Sequence, residues 1–436
     1  MFTYNVKLAI KSMRRNPMMT ALMVSAIAVG IGISMTTLSV YYMMNGNPIP
    51  DKSDELFAVT LDSWNPLRPF DDDRPERAPH QLTYQDAERL VELAAGKRQA
   101  AMFESSLIIE PASAEEMPFE ATARVTTGDF FAMFKVPFIY GDGWDKSVDA
   151  NAEAMVVLTR QLNERLFGGE DSVGRWVTMN STRFQVAGVI NTWEPTPRFY
   201  DPINGGFQEV NEMFIPFSLT RVLELDSIGS DWGWKAEEIT SFEQWLNSEA
   251  SWIQYFVEID GARDEYIDHL NAYVGEQKKL GRFERPMNNN IYSVMEWMDY
   301  HEVVANDSRV LLGLSFLFLV VCLLSTISLL LTKFVGKKSE TSLRRALGAS
   351  RKIIFRQQLV EVALIGFAGG LIGLLLTSLG LKGIQSVYES PAGLVSLDWV
   401  IMSAAISVAI ISSMIAGLYP AWRVCQVPPA TQLKAQ

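Results

Sequence analysis

The sequence predicts a membrane protein with four transmembrane α-helices. A mixed α/β domain lies outside the membrane between helices 1 and 2, built as two subdomains with one inserted in the other. Three observations predict this. Four windows, Met18 to Met44, Val310 to Leu331, Val360 to Leu381 and Trp399 to Trp422, are apolar over at least the roughly 20 residues that cross a bilayer. The long segment between the first two windows carries no comparable run. Charge is also segregated: of a formal net −12 over 436 residues, about +4 falls in residues 1–44, about −24 in 45–307 and about +8 in 308–436.

Each element follows in order. Residues 1–17 read as a basic amphipathic helix on the cytoplasmic side, because Lys7, Lys11, Arg14 and Arg15 precede the first span with no acid among them. The span itself covers 18–44. A cleavable secretory signal is the rival reading, but the apolar run is about twice the usual signal core and no small-x-small site precedes Asn45. An even number of spans returns the C-terminus to the cytoplasm.

Residues 45–305 form the extracytoplasmic domain, whose acidic balance argues against a nucleic-acid partner. Expected strands are Leu56 to Leu61, Ser106 to Glu110, Phe119 to Thr126, Met155 to Leu158, Trp176 to Met179, Phe184 to Ile190, Met213 to Phe217 and Trp252 to Ile259. Expected helices are Thr83 to Ala95, Asp129 to Phe134, Arg160 to Phe167 and Ala262 to Lys279. Pro/Gly-rich breaks at Val136 to Gly143 and Asn191 to Gly206 place the inserted subdomain at about 136–250. The only cysteines, Cys322 and Cys425, lie beyond the domain, so it has no disulfide to rely on.

From Tyr292 no Pro or Gly occurs until Gly313, so one helix is expected to run as a stalk into the second span, 306–333. A basic loop, 334–356, then joins the second span to the third, 357–382. Within and beside it Lys333, Lys337, Lys338, Arg344, Arg345, Arg351, Lys352 and Arg356 face Glu340 alone, the excess expected of a cytoplasmic loop. A short outer loop, 383–397, the fourth span, 398–422, and a cytoplasmic tail, 423–436, complete the chain. Glu361, near the start of the third span, is expected to pair with a basic loop residue or with another subunit, and Lys382 to reach the interface. Gly30, Gly32, Gly369, Gly370 and Gly373 permit close helix approach, within one subunit in the first instance.

Enzyme signatures are incomplete. His301-Glu302 begins a zinc-protease motif whose second histidine is replaced by Ala305, and His80 and His269 have no spaced Cys/His neighbours. Asp71, Asp72 and Asp73 lack the spacing and central glycine of an EF-hand loop. Gly336-Lys337 resembles the tail of a phosphate-binding loop, but Leu331 stands at the first glycine and Lys338 at the Ser/Thr. No catalytic residue, metal or cofactor site is expected in the chain.

Several separate motifs carry a family resemblance. Glu340, Arg344, Arg345, Ala346, Leu347, Gly348, Ala349 and Ser350 follow an E-x-x-x-R-R-A-L-G-A-S pattern, with Glu361 as the downstream glutamate. The tail carries Gly417, Pro420, Ala421, Pro429 and Leu433. The segments Val125 to Phe134, Val156 to Gly168 and Ser172 to Ile190, and Asn16-Pro17 before the first span, add to the match. The chain resembles the MacB/FtsX-type permeases, the four-helix membrane subunits of ABC systems, which include the lipoprotein-releasing LolC/LolE pair. It departs from the pattern at Ser339 to Leu343, and at Pro428 and Lys434.

The resemblance implies a mechanotransmitting permease of a bacterial inner membrane. The loop residues 340 and 344–350 would couple to a separate cytoplasmic ABC ATPase dimer that binds the ATP. Glu361, Gly417 and Pro420 would serve in membrane coupling. A second permease copy or paralogue, a periplasmic adaptor and membrane lipid are the further implied partners. MacB-like export of a peptide, drug or other small molecule from the periplasm is favoured by the length of the outer domain. Lipoprotein release and FtsX-like activation of a cell-wall hydrolase are the alternatives.

Overall fold

The structure, a computed structural model, describes residues 2–111, 117–303, 306–388 and 399–426. Pro428, Pro429, Leu433, Lys434 and most of the loop 383–397 lie outside the described residues. Two compact units are present: Gly46–Val303, and Met1–Asn45 together with Val304–Gln436.

The chain opens with α1 (Phe2–Arg15) and α2 (Pro17–Met44). The extramembrane unit then runs β1 (Leu56–Thr60), β2 (Leu82–Thr83), α3 (Tyr84–Leu93), β3 (Arg98–Glu110), β4 (Phe119–Thr126), α4 (Asp129–Met133), β5 (Phe138–Gly141), α5 (Lys146–Asn151) and β6 (Met155–Thr159). It continues with α6 (Arg160–Phe167), β7 (Trp176–Met179), β8 (Thr182–Ile190), β9 (Met213–Pro216), α7 (Leu219–Val222), α8 (Phe242–Leu246), β10 (Ser251–Glu258), α9 (Arg263–Lys279), β11 (Asn290–Ser293) and α10 (Val294–Tyr300). Four further helices follow: α11 (Asn306–Gly336), α12 (Lys338–Ala346), α13 (Arg351–Tyr388) and α14 (Trp399–Cys425).

All eleven strands join one sheet, ordered β11-β1-β10-β3-β4-β9-β6-β8-β5, with β2 on β10 and β7 bridging β3 and β8. Most pairs are antiparallel, whereas β4–β9 and β6–β8 are parallel. Alternating side chains feed two hydrophobic clusters. Phe57 and Val59 enter one, Leu56 and Ala58 the other. Every residue of β10 is therefore buried. The helices start where short polar side chains accept a backbone N–H: Thr83 for α3, Asp145 for α5, Thr159 for α6 and Ser293 for α10, where Glu296 completes a capping box.

Residues 136–250, expected as an inserted subdomain, are an insertion in chain order between β4 and β10. They contribute β5 to β9 to the common sheet rather than forming a sheet of their own. The Pro/Gly-rich break at 191–206 is pinned by a buried ion cluster. Arg124 Nη2 donates to Asp201 Oδ2 at 2.6 Å and Arg124 Nε to Asn211 Oδ1 at 3.0 Å, while Gln254 Nε2 donates to Asp201 Oδ1 at 2.9 Å. Burial pushes the Asp201 carboxyl up, but the Arg124 and Arg198 guanidiniums outweigh it and hold it below the usual range. The tryptophans of 206–250 anchor that segment: Trp245 stacks on Trp252, and Trp234 Nε1 donates to the Ser63 carbonyl at 3.0 Å.

The expected continuous stalk is interrupted. α10 stops at Tyr300, and Glu302 takes a left-handed φ of +48°. The absence of Pro and Gly removes two helix breakers but does not oblige the helix to continue, and α10 ends with Trp297 and Tyr300 buried in the domain's own core.

In the other unit four helices are long and apolar enough to cross a membrane: Pro17–Met44, Ser308–Gly336, Arg351–Ile384 and Ala405–Cys425. Met23, Ile27, Ile31, Val362 and Ile365 form much of their common core. A Cβ at Gly369 would stand 2.7 Å from Ile27, and one at Gly373 would stand 2.9 Å from Ile31, so the small residues seat α13 on α2 within one chain. The loop expected over 334–356 is shorter than its sequence span. Residues 334–336 finish α11, 351–356 begin α13, and Lys382 lies exposed near the end of the third span.

Candidate functional site

The motif residues converge on α12 and its flanks. Leu347 closes the helix, Gly348 adopts φ +98°, its N–H donates to the Arg345 carbonyl at 3.1 Å, and the Ala349 N–H donates to the Arg344 carbonyl at 3.0 Å. That pair of bonds is a Schellman turn, which needs a residue free of Cβ strain at the left-handed position. Ser350 then accepts the Ile353 N–H at 3.4 Å and starts α13. The Leu-Gly-Ala-Ser half of the motif thus spells a helix stop and a helix start four residues apart. Ala346 is the last residue of α12.

The Glu-x-x-x-Arg-Arg half orients the helix. Glu340 accepts Arg344 at 2.7 Å, one turn on, and Arg15 of α1 at 3.1 Å. Arg344 also donates to Gln357 at 3.1 Å, and Arg345 reaches the Cys425 carbonyl at the C-terminal end of α14 at 3.4 Å. Leu347 is left 81% exposed and Leu343 55%, so α12 presents apolar side chains to solvent while its charges are tied inward.

Glu361, expected to find a basic partner, finds two. Its carboxylate lies 2.8 Å from Lys333 Nζ and 3.1 Å from Lys337 Nζ, and Ser12 Oγ donates to it at 2.5 Å. Lys333 also donates to Thr20 Oγ1 at 3.2 Å and, like Glu361, is buried. One carboxylate therefore joins α1, α11 and α13 beside α12. Gly417 brings α14 onto Val362, where a Cβ would stand 2.7 Å away, and Pro420, inside α14, withholds an N–H from that helix. Ser12, Arg15, Thr20 and Lys333 were not legible as site residues. The spacing of Lys333 and Lys337, one turn apart across the start of the expected loop, was the available signal.

Among the described residues no three His, Cys, Asp or Glu side chains converge on a metal position. His301 and His80 do meet, rings perpendicular at 4.5 Å, in an aromatic box with Trp297 and Tyr300. Burial, with the Arg77 charge nearby, lowers His80 to about 4 and His301 to about 2. Asp71, in the acidic run, accepts the Asp73 and Arg74 N–H groups as a loop turn.

Two protein families and several known proteins match most of the chain. The family described as the MacB-like periplasmic core domain matches residues 20–255, and the FtsX-like permease C-terminal family matches 312–429. The macrolide export ATP-binding/permease protein MacB of Syntrophobacter fumaroxidans is 23% identical over 344 residues, 71% of this chain and 46% of that protein. The pyoverdine export ATP-binding/permease protein PvdT of Pseudomonas syringae pv. syringae is 23% identical over 314 residues, 70% of this chain and 42% of that protein. The chain thus spans less than half the length of these two relatives. The crystal structure of the periplasmic region of MacB from Actinobacillus actinomycetemcomitans aligns with a TM-score of 0.36 at 14% identity, over 58% of this chain and 95% of that one. With a matched periplasmic core over more than half its length, a matched permease segment and four membrane-length helices, the chain belongs to the MacB/FtsX-type ABC transporter permease superfamily.

Proposed function

We propose that this permease converts ATP binding and hydrolysis by a cytoplasmic ABC ATPase dimer into movement of its periplasmic domain. In this reading α12 is the coupling helix, both termini are cytoplasmic, and ATP is bound by the ATPase rather than by the residues described above. The work done is export of a peptide, drug or other small molecule from the periplasm with a periplasmic adaptor. Export is supported by the macrolide and pyoverdine exporters among the relatives.

The observation that carries the reading is the construction of α12. A nine-residue helix standing alone would not hold its shape. Here it is capped by the Gly348 turn and anchored through Glu340, Arg344 and Arg345 to α1, α13 and α14, yet Leu343 and Leu347 point outward. A rigid helix with an uncovered apolar edge is suited to sit in a groove of a moving partner, and displacement of packed helices is an established means of moving domains. A second permease copy or paralogue would find an apolar face on α11, where Leu314, Leu317, Val321 and Leu324 are exposed.

Leu347→Asp tests the reading in the purified permease–ATPase complex. Folding should be unchanged within about 0.5 kcal/mol, because the side chain is solvent-exposed. Stimulation of the ATPase by the permease should fall at least about tenfold, the equivalent of about 1.4 kcal/mol of lost docking. Undiminished stimulation with normal assembly would refute the coupling role.

A further inference from the structure

α1, α12 and the first turns of α13 enclose a cavity of about 250 Å³. Lys11, Arg15, Lys337 and Arg344 line it, and Glu340 is the one carboxylate among its lining residues. That carboxylate is already shared by Arg15 and Arg344, and Lys337 shares Glu361 with Lys333. Lys11 makes no ion pair with any described residue. Positive charge thus exceeds negative around a partly enclosed space, where like charges repel more strongly than in water.

A phosphate supplies the complement of this excess, its oxygens accepting from the Arg and Lys donors that line the space. The volume lies below the roughly 300 Å³ at which pockets for drug-sized ligands begin, so it suits a headgroup and not the acyl chains behind it.

We propose that this cavity binds the phosphate-bearing headgroup of an anionic phospholipid, of the phosphatidylglycerol type, from the leaflet on the α12 side. Basic pockets beside transmembrane helices are a general means of holding such headgroups. The proposal rests on the four long helices crossing a bilayer, and not on ATPase docking or export. Bound there, the lipid would tie α1 to α12 and so steady the segment on which Leu347 is displayed.

Native mass spectrometry of the full chain in detergent, with phosphatidylglycerol, phosphatidylethanolamine, glycerophosphoglycerol or inorganic phosphate added, tests this. Phosphatidylglycerol should be retained about tenfold over phosphatidylethanolamine. That preference should vanish in Lys11→Gln/Arg15→Gln. Leu347→Asp should retain lipid like the unaltered chain, which separates failure here from failure of the coupling role. Equal retention of the two lipids, or the same preference in every variant, overturns the proposal. Binding of either soluble phosphate as tightly as the lipid overturns the lipid source, and photocrosslinking from position 11 to protein instead of lipid overturns the ligand class.

Discussion

The periplasmic domain and the membrane unit each bury an ion cluster, and the two clusters hold different things. In the domain, Arg124 of β4 and Asp201 are both fully buried, and Asn211, Asn204 and Gln254 each bond to one of them, while Arg124 Nη1 has no hydrogen-bond partner among the described residues. In the membrane unit, Glu361 takes its partners from separate helices, and Lys337 keeps some exposure. Hydrophobic clusters cover both faces of the sheet around the first, whereas the helices around the second pack Met23, Ile27, Phe334 and Val362 together, with glycines at 369, 373 and 417 admitting close approach. A pair enclosed by one sheet fixes a shape. A carboxylate shared among helices fixes a relation between them, and relations can be exchanged while shapes persist.

The contrast breaks if damage to the two clusters has the same consequence. Asp201→Asn leaves Arg124 buried without its counter-charge and should cost about 3–5 kcal/mol, read as a lower denaturation midpoint of the periplasmic domain. Glu361→Gln frees Lys337 to turn to solvent but leaves Lys333 buried without its counter-charge, and should cost a similar amount, about 3–5 kcal/mol. Its signature is local: hydrogen exchange should quicken in α1 around Ser12 while the amides of β3, β4 and β10 stay protected. Loss of sheet protection in that variant would show that the units share one stability.

A third measurement sharpens the domain side. His80 is held near 4 against an ordinary 6.5, so between those values the unfolded chain binds a proton that the folded domain does not. Stability is therefore full above about pH 6.5 and declines as pH falls toward 4. Asp149, which burial raises to about 6, acts in the opposite sense between its ordinary 3.8 and 6 and flattens the net slope. Replacing His80 by Phe should remove a share on the order of 2 kcal/mol over that window, visible as a shallower fall of the melting temperature on acidification. An unaltered slope would mean that His80 is already charged in the folded domain.

The smallest effect belongs to Gly348→Ala. Nothing lies within 4 Å of a Cβ there, so the cost is backbone strain alone, about 1 kcal/mol. The melting transition should barely move, while ATPase stimulation drops severalfold because the turn that aims Leu347 is loosened. Unchanged stimulation would mean that the turn is replaceable.

How much of this was legible depends on which physics the sequence displays. Apolar length and charge segregation place all four spans, and β4, in which apolar and polar residues alternate, matches residue for residue. The first half of β3 escaped because Gln99 and Ser105 read as polar, although both are buried and bonded, Tyr255 to the Gln99 side chain at 2.5 Å and Ser105 to the Asp226 carbonyl at 2.7 Å. β5 and β11, at four residues each, are too short to show a period. The bounds 136–250 rest on Pro/Gly breaks alone, and parallel pairing of β4 with β9 carries the sheet across them. In the site, α12 was visible through its motif, but the hub at Glu361 needed contacts 349 and 28 positions apart, to Ser12 and Lys333, that no local pattern encodes.

α2 ends at Met44, and α10 at Tyr300 with Glu302 left-handed beyond it. Backbone amides are shielded from exchange only as far as a helical ladder of bonds runs. Deuterium uptake should therefore step up sharply just past Met44 and again just past Tyr300, instead of fading gradually along a longer rod.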